Sequence, residues 1–303
     1  MKLYLLLGVI GTAIAHAETK IETPEATESI PRFTDENNRF RVLQWNIFHG
    51  GRDDGEKEGP QRVVDVIKSV RPDIIAMQET YGSGEFISEE LRFKFHPRGT
   101  NVSIHSRFPI VEDISVYKEF CCAGAILELP DKSKLAFYSV WLGYSKEIWK
   151  VGTREGLNKE QLIAACHASE NDIAGILAGI KERLKDPKYA DIPVIIAGDF
   201  NSMSHLDYIE KTKDQHGFVI EWPTSLAVTA AGFKDSYREL HPEVNRSKDR
   251  TWSPRFPEQQ EDRIDYIYYK GSTLHANDSR IEVSHTVKFP SDHAALITDF
   301  TVK

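Results

Sequence analysis

Short apolar runs alternate with helical patterns along the chain from about residue 39. Phe40 to Trp45 reads as a strand. Gly59-Pro60 then opens a helix whose Val63, Val66, Ile67 and Val70 recur at helical spacing. Arg71-Pro72-Asp73 stops it, because the residue before proline avoids the helical region. Ile74 to Met77 follows as a short buried strand, and Val102 to Ser106, Ile126 to Leu129 and Leu135 to Trp141 give further strands. One long helix is predicted from Lys159 to Leu184, with Ile173, Ile176, Leu177, Ile180 and Leu184 on one face and a break at Asp186-Pro187. Val194 to Ala197 is a buried strand, and Gly198 after it is expected to let the chain turn sharply. The last third reads as strands at Ile264 to Tyr269, near Ile281 to Val287, and at Ala294 to Val302, with a turn at Lys270-Gly271. Helices covering packed sheets in one α/β domain, residues 39–303, account for this order.

The N-terminus breaks the pattern. Lys2, an apolar Leu3 to Ile14 and Ala15-His16-Ala17 have the layout of a signal peptide, residues 1–17, cut before Glu18. Residues 18–38 are rich in Glu, Thr and Pro and read as a flexible lead-in. No later stretch suits a membrane span, so a periplasmic or secreted monomer is expected. The remaining composition is that of a globular chain, 40% hydrophobic and 28% charged over 303 residues. A net charge of -8 lacks the basic balance of a tight nucleic-acid binder, although a local basic groove stays open. Cys121, Cys122 and Cys166 allow one bridge at most, between Cys166 and either neighbour. Asn-x-Ser sequons start at Asn101, Asn245 and Asn277.

Polar residues close several apolar runs. Gly198-Asp199-Phe200-Asn201 sets a carboxylate and an amide two residues apart, and on an extended segment both would face one ligand. Asp199 could take a proton from water and Asn201 could orient a phosphate oxygen, unless the pair only forms an Asx turn. His293, within Ser291-Asp292-His293, could bind a phosphoryl oxygen while Asp265 fixes its tautomer. Glu79, directly after a buried run, suits a hard cation such as Mg²⁺, with Asn46 holding that carboxylate or the phosphate.

Taken in order, Trp45-Asn46, Gln78-Glu79, Gly198-Asp199-Phe200-Asn201, Asp265-Tyr266 and Ser291-Asp292-His293, with Ser106-Arg107-Phe108-Pro109, resemble the endonuclease/exonuclease/phosphatase superfamily. The resemblance covers roughly Arg41 to the C-terminus. It implies a four-layer α/β/β/α sandwich of two packed mixed sheets flanked by helices. It also implies in-line attack of water on phosphorus with Mg²⁺, or Mn²⁺ in its place. By the same resemblance Glu79, Asn46 and Asp292 lie on the metal side, Asp199 is the base, Asn201 contacts phosphate, and Asp265 and His293 form the Asp–His pair. Trp141 stands where several family nucleases carry a His, either as an aromatic platform or as a core residue. Arg52, Tyr144 and His205 are candidate substrate contacts, although His205 sits where a helix N-cap could also fall, and Trp149 and Arg154 belong to the same unusual insert as Tyr144. The function implied is an exported phosphodiesterase. A DNase I-like nuclease, a sugar- or lipid-phosphate monoesterase and a non-catalytic binding module are the alternatives. HExxH and Gly-x-Ser-x-Gly are absent, against zinc and serine hydrolases.

Overall fold

The computed structural model describes residues 38–256, 258 and 262–303; the expected leader and all of the lead-in except Asn38 lie outside them. In chain order the elements are β1 (Arg39–Asn46), α1 (Glu58–Val70), β2 (Ile74–Gln78), α2 (Gly84–Leu91), β3 (Lys94–Arg98), β4 (Val102–Ser106), β5 (Ile110–Asp113), β6 (Cys122–Glu128) and β7 (Lys134–Trp141). They continue as α3 (Lys159–Ala165), α4 (His167–Arg183), β8 (Val194–Asp199), α5 (Lys213–His216), α6 (Pro223–Ala230), β9 (Lys234–Asp235), α7 (Ser236–Leu240), β10 (Asp265–Lys270), β11 (Leu274–Glu282) and β12 (Ala295–Val302).

Two six-stranded mixed sheets result, ordered β11-β12-β1-β2-β4-β3 and β5-β6-β7-β8-β10-β9. Strand pairs β1/β2 and β7/β8 are parallel, and each is joined by a crossover containing helix, as a parallel connection requires. Alternation along the strands builds the layers. In β1, Phe40 and Val42 face the second sheet and join Phe137, Ile195 and Ala197 in the central core, while Leu43 and Trp45 pack with Val63 and Ile67 of α1. On the far side, Tyr138 and Ile196 pack with Ile173 and Ile176 of α4. The order is therefore helix, sheet, sheet, helix, the four-layer sandwich expected.

Several local expectations need correction. The stretch Lys159 to Leu184 is two helices meeting at Cys166, which closes α3 and precedes α4. The two halves face different clusters: Leu162 of α3 packs with Trp149 and Met203, whereas Ile173 and Ile176 of α4 pack with Tyr138 and Ile196. The sixth strand begins at Cys122, four residues before the apolar run anticipated at Ile126, and β11 spans Leu274–Glu282 where Ile281 to Val287 was expected. That strand lies at a sheet edge and needs little apolar content. Gly198 does not make the turn. It lies inside β8, where an added Cβ would fall 2.0 Å from the Val140 carbonyl, so glycine serves the close approach of β7. All three cysteines are buried free thiols, so the bridge allowed by their count is not formed.

Candidate active site

The rows of side chains facing the central core change character at one end of the sandwich. After Phe40 and Val42 on β1 come Gln44 and Asn46. After Ile74 and Ala76 on β2 comes Gln78. After Leu135 and Phe137 on β7 come Ser139 and Trp141. Strand β8 runs Ile195, Ala197, Asp199, and β10 runs backwards from Ile267 to Asp265. Register aligns these ends: Asn46 lies opposite Gln78, Trp141 opposite Asp199, and Asp265 opposite Asp199. A polar cluster thus replaces the apolar core where the two sheets meet.

Asp265 is fully buried and holds the imidazole of His293, with Oδ2 at 2.9 Å from Nδ1. Its other oxygen accepts from Gln44 Nε2 at 2.9 Å, and Gln44 also donates to Gln78 Oε1. Gln78 donates in turn to Ser139 Oγ, so a line of amides fixes the carboxylate from behind. With Nδ1 donating to Asp265, the Nε2 atom of His293 faces Asn46 Nδ2 at 3.4 Å and lies 3.9 Å from both Asp199 Oδ2 and Asp292 Oδ1. Burial opposes protonation of this ring, but Asp265, Asp199 and Asp292 outweigh it and hold the imidazolium well above the ordinary histidine range. The backbone of His293 is pinned as well: its carbonyl accepts from Trp45 Nε1, and its N–H donates to Ser291 Oγ.

Asp199 closes β8. Its Oδ1 accepts from the Asn201 N–H at 2.9 Å and its Oδ2 from Asn46 Nδ2 at 3.0 Å. Burial raises its pKa, while His293 pulls the other way. Asn201 departs from the extended geometry anticipated. Its φ is 46°, its amide donates to the Leu142 carbonyl, and its N–H closes an Asx turn on Asp199 Oδ1.

Glu79 leaves β2 with φ 53°. Its carboxylate accepts from Asn46 Nδ2 at 3.1 Å and from the His49 N–H at 3.0 Å, and its own N–H donates to Asn101 Oδ1. Asn46 therefore bridges Glu79 and Asp199. Asp292 Oδ2 accepts from Trp252 Nε1 at 3.1 Å, while Oδ1 is buried without a hydrogen-bond partner. Burial raises its pKa. Among the described residues, only the imidazole of His293 pairs with Asp199, Asp265 and Asp292, and no Lys or Arg pairs with these or with Glu79. Several carboxylates against one imidazolium, with an orphaned buried carboxylate oxygen, form a donor set suited to a hard divalent cation. Ligand atoms of Asp199, Asp265 and His293 also lie within 4.8 Å of one another. A cation held by all three, however, would have to displace the Asp265–His293 hydrogen bond.

The fold thus gathers Asn46, Glu79, Asp199, Asn201, Asp265, Asp292 and His293 in one place. Trp141 stands beside Asp199 with its ring partly exposed, edge-on to Phe120 and Tyr144. Arg52 braces the turn after Glu79, donating to the Tyr81 carbonyl and to Ser83 Oγ, and forms no hydrogen bond to the acidic residues. The His205 imidazole and N–H both bond to Ser225 Oγ of α6, and it makes no hydrogen bond to the cluster. Arg154 clamps Asp262, Tyr208 and the Trp149 carbonyl, tying the insert to later segments of the chain, and makes no hydrogen bond to the acidic cluster. Tyr81 went unremarked in the sequence. Its φ is 37°, and burial, Glu79 and Tyr144 together push its phenol up to about 12. Asn101, seen only as a sequon, is buried and orients Glu79, which also closes that sequon to modification in the folded chain.

Residues 43–293 match the sequence profile of the Endonuclease/Exonuclease/phosphatase family. A Caenorhabditis elegans protein of uncharacterised function, F14F9.5, is 28% identical over 295 residues, covering 88% of this chain and 92% of that protein. Among solved structures, a humanized D. rerio TDP2 superposes with a TM-score of 0.61 at 16% identity, covering 88% of this chain and 100% of that one. The human nocturnin catalytic domain with bound sulfate gives 0.59 at 18% identity, with 88% and 94% covered.

Proposed function

This chain belongs to the endonuclease/exonuclease/phosphatase family, and from that premise we propose that it is an exported phosphodiesterase dependent on Mg²⁺, with Mn²⁺ able to substitute. Members of this family are generally hydrolases of phosphoester bonds and typically depend on a divalent metal. The observation that carries the proposal is the buried Asp265–His293 pair set against Asp199, Asp292 and Glu79 with no Lys or Arg among them. Export rests on Lys2, the apolar Leu3 to Ile14 and Ala15-His16-Ala17.

Glu79 and Asp292 would hold the cation, with Asn46 orienting Glu79. When bound, the metal supplies positive charge to the phosphate or the leaving oxygen. The remaining work belongs to side chains. Asp199, oriented by Asn46 and the Asn201 N–H, accepts a proton from the attacking water. His293 Nε2–H donates to a phosphoryl oxygen, and its charge offsets the negative charge that builds up there. Asp265 keeps Nδ1 protonated and the ring aimed. Asn201, whose amide is anchored on the Leu142 carbonyl, would contact the phosphate.

Hydrolysis of bis(p-nitrophenyl) phosphate tests this reading. Turnover with Mg²⁺ or Mn²⁺ that EDTA abolishes is expected. Metal-independent turnover, or no Mg²⁺ binding by calorimetry, would overturn it. A nuclease is the second reading, favoured by the likeness to D. rerio TDP2 solved with a single-strand DNA product. The net charge of -8 and the lack of a basic side chain paired with the cluster weigh against it.

A further inference from the structure

A row of aromatic rings borders the acidic cluster on one side. Trp141 lies in parallel register with Asp199, so both side chains leave the same sheet face on neighbouring strands. Phe120 meets the Trp141 ring at 5.3 Å and 88°, Tyr144 meets it at 6.1 Å and 61°, and Trp149 meets Tyr144 at 5.1 Å and 80°. Edge-on contacts of this kind leave these rings unstacked on one another. The outer rings are open to solvent, Phe120 at 42% and Tyr144 at 45% exposure, which is unusual for large aromatic side chains. Tyr144 and Tyr81 each lie close enough to Glu79 and Asp199 to feel their charge. The row therefore begins at the reacting groups and reaches solvent at Phe120 and Tyr144, with Trp149 buried behind Tyr144.

On the reading given above, we infer that this site selects phosphoesters carrying a planar ring next to the scissile phosphate, stacked on the Phe120–Trp141–Tyr144 row. A neutral ring suits such a wall. An aryl group and a nucleobase share this chemistry.

Protein-observed NMR titration with Mg²⁺ present separates the cases. The ligands are inorganic phosphate, methyl phosphate, phenyl phosphate and adenosine 5′-monophosphate, read at the indole N–H signals of the five tryptophans. Trp141 is assigned with Trp141→Phe. Phenyl phosphate is expected to bind on the order of tenfold tighter than methyl phosphate and to shift the Trp141 signal, as stacking on aromatic side chains does elsewhere. In Phe120→Leu/Tyr144→Leu, which keeps apolar area at two exposed positions, that ratio should fall several-fold. A nucleotide stronger than phenyl phosphate would identify the ring as a nucleobase, and the reverse as an aryl group. Equal binding of the methyl and phenyl esters, or a ratio unchanged in the double variant, would overturn the inference while phosphate binding leaves the phosphoesterase reading intact. No binding of inorganic phosphate or of any ester would count against both.

Discussion

Asp265 acts at one remove from the chemistry proposed, and that makes it a sharp probe. Its Oδ2 holds His293 Nδ1 and its Oδ1 accepts from Gln44, so an amide in its place keeps the shape but loses the charge and inverts one hydrogen bond. Asp265→Asn should lower kcat by about 10²-fold or more, with a much smaller change in KM. Steady-state kinetics on one diester checks this, and a change confined to KM would mean that the pair only binds. Individual residues differed in how plainly the sequence displayed them. Asp199 and Glu79 were legible because each carboxylate closes an apolar run, and His293 because it sits beside Asp292 at the head of the last strand. Asn101 was not, because an amide in a sequon carries no mark of the backbone N–H it will meet, here that of Glu79. Arg52 was placed at the substrate by charge alone, whereas the fold uses it on the Tyr81 carbonyl.

At the scale of elements, the site is a continuation of ordinary strand alternation. On β1 the residues at alternate positions are Phe40, Val42, Gln44 and Asn46, and on β8 they are Ile195, Ala197 and Asp199. The same face that makes the core makes the cluster, so any change that slips β7 against β8 moves Asp199. Gly198 fixes that contact. Gly198→Ala would set a methyl 2.0 Å from the Val140 carbonyl and force the strands apart. It should cost about 1–3 kcal/mol in a urea melt and also reduce turnover. Wild-type stability would show that the strands relax freely. Period-two reading therefore recovered most strands of the sandwich. It failed where tertiary context decides: at the Cys166 break, at the edge strand β11, and at the sharp turn assigned to Gly198 but made by Asn201 with φ 46°.

Across the whole molecule, two buried histidines, His105 and His216, weaken the fold in acid. His105 of β4 is fully buried between Ser88 Oγ and Ser103 Oγ, and burial pushes its pKa down to about 3. Burial likewise lowers His216 to about 4. The unfolded chain binds these protons near the ordinary value of 6.5 and the folded chain does not. Their stability contribution is therefore complete above that pH and is lost as pH falls toward 3, at about 1.4 kcal/mol per pH unit for each group while it titrates. Urea midpoints between pH 7.5 and 4 should fall more steeply for the wild type than for His105→Gln. Parallel slopes would mean that His105 protonates within the folded state.

The acidic strand ends together form the proposed hydrolytic centre. Asp199 is the group on which the β8 terminus, Asn46 and Asn201 all converge. The most direct measurement is kcat for bis(p-nitrophenyl) phosphate at saturating Mg²⁺ in the wild type, Asp199→Asn and Glu79→Gln, with folding verified by circular dichroism. Metal-dependent turnover in the wild type, reduced about 10²–10⁴-fold in Asp199→Asn and restored in part by raised Mg²⁺ in Glu79→Gln, is the predicted result. Wild-type rates in a folded Asp199→Asn would contradict it.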